Sequence, residues 1–305
     1  MKEMRVVLRF RPATEIWHVG VARAPITAFI PQISKPAITW LPYPKPFCFI
    51  ADPFGHVDDA GNLTLLVEAL DYRVKRGEIH YYRYDKNFAL IDMGIALRAA
   101  HHLSYPFLLQ HDGQIYMLPE AHRSGKLTLY RAKDFPTQWE VAATLLDLPA
   151  IDASIIQHHD RWWMFFALPG ADGRAMNELH IAYADSLLGP WHLHAKNPVR
   201  TGFDSSRMGG TPFVHQDALY LPMQDCRESY GGALRLLRVD ELTPDHFHAE
   251  IVRDITPDSL ASGYEGCHTL SACGTLTLLD MKTTQHSAQR HLIDWQRRFR
   301  RLIGT

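Results

Sequence analysis

Asp52 and Asp152 head two similar segments, Asp52-Pro53-Phe54 and Asp152-Ala153-Ser154-Ile155, each preceded by apolar residues and followed by a polar turn. Two carboxylates facing each other across a pocket are what glycoside chemistry requires. One activates water or steadies positive charge at the anomeric carbon, and a protonated one assists the leaving group. Burial and like charge push such a pair's pKa values apart, which separates the two roles. The same residues also read as caps that bond nearby backbone N–H groups at strand starts. A second polar cluster, Gln224 to Gly232, carries Asp225, Arg227 and Tyr230. These side chains suit sugar hydroxyls or an anionic group, since the planar guanidinium fork matches a carboxylate or phosphate. Equally, Asp225 can pair internally with Arg227 or Arg207 and do no more than hold the loop. Of eighteen histidines, the adjacent pairs His101-His102 and His158-His159 would point to opposite faces of a strand and chelate poorly. No metal or other cofactor is expected.

The elements that must position these groups are marked by an internal repeat. A small or acidic residue, usually a proline, an apolar pair, a polar turn and a second apolar strand recur at roughly 50-residue intervals. The copies begin at Asp52, Tyr105, Asp152, Gly210 and His268. Turns such as Asp112-Gly113 supply the positive φ of a tight hairpin. Strand-like alternation follows in 77–84, 126–131, 178–185 and 233–239. The pattern predicts an all-β fold, a five-bladed β-propeller with a short C-terminal helix. It forms one domain over 1–305, with blade cores near 50–85, 103–132, 151–185, 209–240 and 264–282. The five leading residues then ring one mouth of the central channel. The second-strand ends Glu68, Glu120, Asp225 and Asp280 form a shell around it, which Phe166-Ala167 interrupts in the third blade. Trp40, Tyr43 and Phe47 are candidates for an aromatic rim on which sugar faces stack. At least one of Trp162 and Trp163 belongs to the core.

The segments Ile50 to Phe54 and Ile151 to Ile155 resemble the first- and third-blade motifs of glycoside hydrolase family 43. That resemblance implies Asp52 as general base and Asp152 as the carboxylate that tunes and orients the acid. It also likens His268 to a blade-five histidine near the pocket base. The family's acid, a glutamate two residues before a proline in blade four, is replaced here by Gly210. Glu265 joins Asp52 and Asp152 as the candidate catalytic set, with Glu120 and Asp225 as alternative acids. Tyr105, Glu120, Arg207, Asp225, Arg227, Tyr230 and His268 are the candidate substrate-binding residues. A longer resemblance covers Leu103 to Phe107, Asp152 to Ile155, Tyr183 to Trp191 and Gln224 to Gly232. These runs are similar to the propeller domain at the N-terminus of plant glucosamine inositolphosphorylceramide transferases and their bacterial relatives, some joined to formyltransferase-like domains. The implied function is carbohydrate-active, acting on a glycosidic bond or in sugar transfer. The alternative is a non-catalytic sugar-binding propeller serving a glycosyltransferase or formyltransferase-like partner.

Composition narrows the classes. A net charge of −1 over 305 residues gives no surface built to gather nucleic acid. Four scattered cysteines without a CxxC pair suit free thiols in a reducing compartment. Residues 1–12 lack the apolar run of a signal peptide, and no stretch suits a membrane span. A cytoplasmic location is expected. From Ser287 to Ile303, Leu292, Trp295, Phe299 and Leu302 recur at helical spacing among Arg290, Arg297, Arg298, Arg300 and Arg301. Such a helix docks on its own propeller, touches anionic lipid or meets a partner.

Overall fold

The computed structural model describes residues 12–31, 35–42, 45–170 and 177–303, with side chains through 299. Tyr43, expected at the rim, and the side chain of Leu302 lie outside the described residues.

Five antiparallel sheets follow one another as blades of a propeller. Blade one comprises Cys48–Val57, Leu63–Asp71, Arg76–Tyr84 and Leu90–Leu97; blade two comprises Ser104–His111, Gln114–Glu120, Leu127–Asp134 and Gln138–Leu146. Blade three is built on Ile151–His158, Arg161–Ala167 and Glu178–Ala184, and blade four on Ala218–Asp225, Ala233–Leu242 and Phe247–Ile255. The tight hairpins have the chemistry that their turns demand. Asp112 and Gly113 sit at φ +49° and +71°, and Gln216 and Asp217 at +49° and +62°, so both central residues carry positive φ in each turn. Between blades the sheet faces interlock through buried side chains such as Leu66, Met117, Phe165 and Phe166.

The fifth blade draws on both ends of the described chain. Leu270–Cys273 and Leu276–His286 supply its inner strands, and Ala13–Ala22 pairs with the latter over ten residues, from Ala13 opposite His286 to Ala22 opposite Thr277. Ile38–Trp40 forms the outer edge. The N-terminal strand therefore clasps the ring. It carries no first-strand motif, so the internal repeat did not mark it. Ile16, fully buried in this clasp beside Trp17, Phe49 and Ala51, tests it. Ile16→Val is expected to cost about 1 kcal/mol, measured as a lower urea midpoint at unchanged slope.

The first strands of blades one to three share one irregularity. Each has a register shift at the motif, between Ala51 and Phe54, Ser104 and Phe107, and Ile151 and Ser154. The residue within each bulge is left-handed: Asp52 at φ +51°, Tyr105 at +43° and Asp152 at +48°. A bulge re-aims a side chain out of the pleat's alternation, and left-handed non-glycine residues concentrate where function or packing demands them.

The C-terminal helix, Gln289–Ile303, docks on the propeller through Arg290, Ile293 and Arg297. Ile293 is buried, the Arg290 guanidinium lies 4.1 Å from the centre of the Tyr72 ring, and Arg297 Nη1 donates to Tyr72 O at 3.2 Å. The apolar side chains Leu292, Trp295 and Phe299 face outward. Among the described residues no helix is long and apolar enough to cross a membrane.

Candidate functional site

The three left-handed positions meet at the channel with different duties. Tyr105 is fully buried, and its ring reaches across the axis from blade two to blade four. Its hydroxyl accepts from Gly210 N at 2.8 Å and lies 2.9 Å from Ser154 Oγ and 3.1 Å from Gly210 O. It plugs the channel beneath the pocket and does not line it, which corrects its expected role in substrate binding. Gly210 has φ +133°, and a Cβ there would stand 1.9 Å from Leu270 O. No side chain fits at that point.

Above the plug opens a pocket of about 770 Å³ lined by Asp52, Glu68, Glu120, Asp152, Arg207 and Tyr230, among others. Asp52 accepts from Tyr105 N at 3.2 Å and Thr269 Oγ1 at 3.2 Å, and its Oδ1 stands 3.6 Å from His268 Nε2. Burial, with Asp280 and Asp152 adding negative charge, raises its pKa to about 7 against the pull of His268 and Arg207. Glu68 is raised well above the usual carboxylate range by burial and then by Asp52, Glu120 and Asp152. Asp152 is held by Arg207 Nε at 2.5 Å and by Gln224 Nε2 at 3.0 Å. Burial still leaves its pKa raised, although Arg207 opposes the shift. Glu120 lies 2.5 Å from His122 Nδ1, and that contact raises the imidazole despite its burial.

His268 sits beneath this rim, stacked on Trp17 of the clasp strand at 3.7 Å between ring centres. Burial pulls its imidazole down, but Asp280 and Asp52 more than offset this and its pKa is raised. Asp52, His268 and Asp280 present ligand atoms within 4.8 Å of one another, the spacing of a metal site. Their atoms are already engaged. Asp280 Oδ1 lies 2.7 Å from His268 Nδ1 and accepts from His268 N and Thr269 N, while Oδ2 accepts from Asp52 N at 2.8 Å. The trio is a hydrogen-bonded knot that ties blade one to blade five.

The family model described as glucosamine inositolphosphorylceramide transferase 1, N-terminal, matches residues 14–263. The chain belongs to this family. The glucosamine inositolphosphorylceramide transferase 1 of Oryza sativa subsp. indica is 38% identical over 208 residues, which make up 66% of this chain and 28% of that protein. The Arabidopsis thaliana enzyme of the same name is 35% identical over 222 residues, covering 70% of this chain and 29% of its own. The chain thus spans under a third of these relatives' length. Among solved structures, a family 117 glycoside hydrolase of Zobellia galactanivorans superposes with a TM-score of 0.57 at 13% identity, covering 82% of this chain and 90% of that one. A family 43 β-xylosidase/α-arabinofuranosidase from a compost metagenome gives 0.53 at 13% identity, covering 79% and 92%. At such identities the likeness shows the propeller fold alone.

Within this member of that N-terminal-domain family, the fold brings Asp52, Asp152, Glu120, Arg207 and Tyr230 to one pocket, with His268 just below. Four of the expected site residues, Tyr105, Glu265, Asp225 and Arg227, do not join them. Glu265 is exposed and accepts from Thr284 Oγ1 away from the pocket lining. Asp225 turns outward, its Oδ2 2.7 Å from Arg227 Nη2 and 3.4 Å from Arg235 Nε. Neighbours on a strand alternate faces, so Gln224 points to the channel where Asp225 was expected. Trp40 stacks on Tyr264 at 4.9 Å, and Phe47 is buried. The pocket also includes His102, which the sequence showed only as half of an adjacent pair, and His122, which no sequence pattern singled out. Lys282 is a further unread residue: buried, it bonds Glu15 Oε1 at 3.0 Å and Tyr230 O at 2.6 Å, joining the clasp strand to the blade-four loop. Gly231 permits that approach, since a Cβ there would lie 2.6 Å from the Trp17 ring.

Proposed function

We propose that this propeller is a carbohydrate-active enzyme whose pocket performs acid–base chemistry at a sugar's anomeric carbon. The supporting observation is a pair of carboxyl groups in one open pocket, Asp52 with a pKa of about 7 and Glu68 well above the usual range. Glu68 holds a proton for the departing oxygen, while Asp52 takes the proton of the attacking hydroxyl as its bond to the anomeric carbon forms. Arg207 fixes Asp152 and leaves it as a positioning group. The relatives' names couple glucosamine with an inositolphosphorylceramide, and a sugar of that kind is the substrate class to try first. The four unpaired thiols agree with a cytoplasmic setting.

Turnover is tested by screening glycosides and nucleotide sugars with the wild type, Asp52→Asn and Glu68→Gln. Each variant is expected to lose about 10²–10⁴-fold in rate, and the wild-type rate to rise with pH through about 7 as Asp52 loses its proton. Equal turnover by Asp52→Asn removes that residue from the mechanism.

A second reading, a sugar-binding propeller serving a separate transferase, draws on two observations. Arg207 bridges Asp152, and Gly210 leaves no room for an acid. Calorimetric binding of a sugar with no turnover of any donor favours it.

A further inference from the structure

The C-terminal helix presents to solvent what an amphipathic helix ordinarily buries. Leu292, Trp295 and Phe299 are 62%, 63% and 49% exposed, and the Trp295 and Phe299 rings stack 5.6 Å apart at 15°. The opposite side is taken up by the propeller. Arg290 packs on Tyr72 and reaches Thr14 Oγ1 at 3.4 Å, Arg297 bonds Tyr72 O, and Asp294 ties both arginines together. The helix is therefore fixed with its apolar stripe outward. Its position adds a second fact. Tyr72 belongs to the turn after Leu63–Asp71, and Lys75 of that same turn lines the pocket. The helix is thus anchored on the turn that also borders the pocket. Over Gln289–Ile303 the sequence holds five arginines against one acidic residue, with exposed Arg298 beside the stripe. The helix also lies beyond the residues matched to the family, 14–263.

We propose that this helix docks the propeller on an anionic lipid surface, with Leu292, Trp295 and Phe299 entering the headgroup boundary. A helix with aromatic and leucine side chains on one face and arginine at its margin lies in the interface plane, held by apolar burial together with attraction to anionic headgroups. Another protein surface would need a complementary acidic rim around an apolar groove. A lipid surface supplies negative charge over apolar depth without shape matching, which suits a stripe three side chains long. The inference does not depend on pocket chemistry, because its readout is adsorption.

The full chain is mixed with phosphatidylcholine vesicles and with mixed phosphatidylcholine–phosphatidylglycerol vesicles, and bound protein is sedimented. Binding is expected with the anionic vesicles, to weaken with added salt, and to be slight with the neutral ones. Trp295→Ser/Phe299→Ser is expected to weaken it about tenfold or more, and Arg298→Glu to weaken it at low salt, with thermal unfolding unchanged in both. Failure to bind anionic vesicles, or equal binding by the double variant, overturns the proposal. So does a dimer in solution that the double variant converts to monomer, since a second copy then covers the stripe.

Discussion

Gly210→Glu, which restores the family 43 acid in the sequence, is expected to cripple folding and add no hydrolysis. The new Cβ would fall 1.9 Å from Leu270 O and 2.5 Å from Leu270 C, atoms of a backbone fixed by Leu270 N donating to Gly209 O at 2.8 Å. A φ of +133° adds backbone strain that any L side chain feels. The carboxylate would also displace Tyr105, whose hydroxyl accepts from Gly210 N. Together these should cost about 4 kcal/mol or more, in the diagnostic range for a single substitution. Gly210→Ala, which has the clash without the charge, should lose most of the same stability. The measurement is the urea midpoint of each variant. Unfolding within a few tenths of a kcal/mol of wild type by Gly210→Ala would mean that the two blades part more easily than their contacts imply.

Asp52→Asn is expected to stabilise the protein above neutral pH and to flatten its stability profile. The carboxyl of Asp52 is raised from 3.8 to about 7 in the folded state. A folded carboxyl that keeps its proton longer than the unfolded one makes stability fall as pH climbs between those two values. At about 1.4 kcal/mol per pH unit, the loss complete by pH 8 is on the order of 4 kcal/mol. Asparagine never ionises, so it avoids that loss. It keeps an oxygen to accept from Tyr105 N, and removing the charge also lessens the push on Glu68, which Asp52 raises. Denaturation at pH 4, 6 and 8 reads the effect. Wild type should weaken across the series while the variant changes less, with the gap widest at pH 8. A variant that weakens in parallel with wild type would show that Asp52 ionises normally in the fold. The substitution thus separates two roles: it should abolish turnover and raise stability, as expected of a group buried for function at a cost in folding energy.

The ring of leading residues was legible because a propeller repeats. Once Asp52, Tyr105, Asp152, Gly210 and His268 are aligned as copies of one motif, their convergence on a channel follows from the fold class. Their orientation did not follow. Tyr105 and Asp152 occupy the same left-handed bulge, yet the longer ring of Tyr105 crosses the axis to blade four while Asp152 stops at the pocket beside Arg207. The charge partners were less legible still, since Arg207 and Asp152 are linked only by the wrapping of separate blades.

The amino-acid sequence by itself determined the hairpins, the number of blades and the motif residues, because these rest on local alternation, turn chemistry and period. Tertiary structure alone decided that Gly210 has no space for a side chain, that Gln224 and not Asp225 faces inward, and that Trp17 of the first strand stacks on His268 of the last blade. Each is a contact between segments far apart in the chain. Such contacts depend on where two backbones come to rest against each other, which no local pattern encodes.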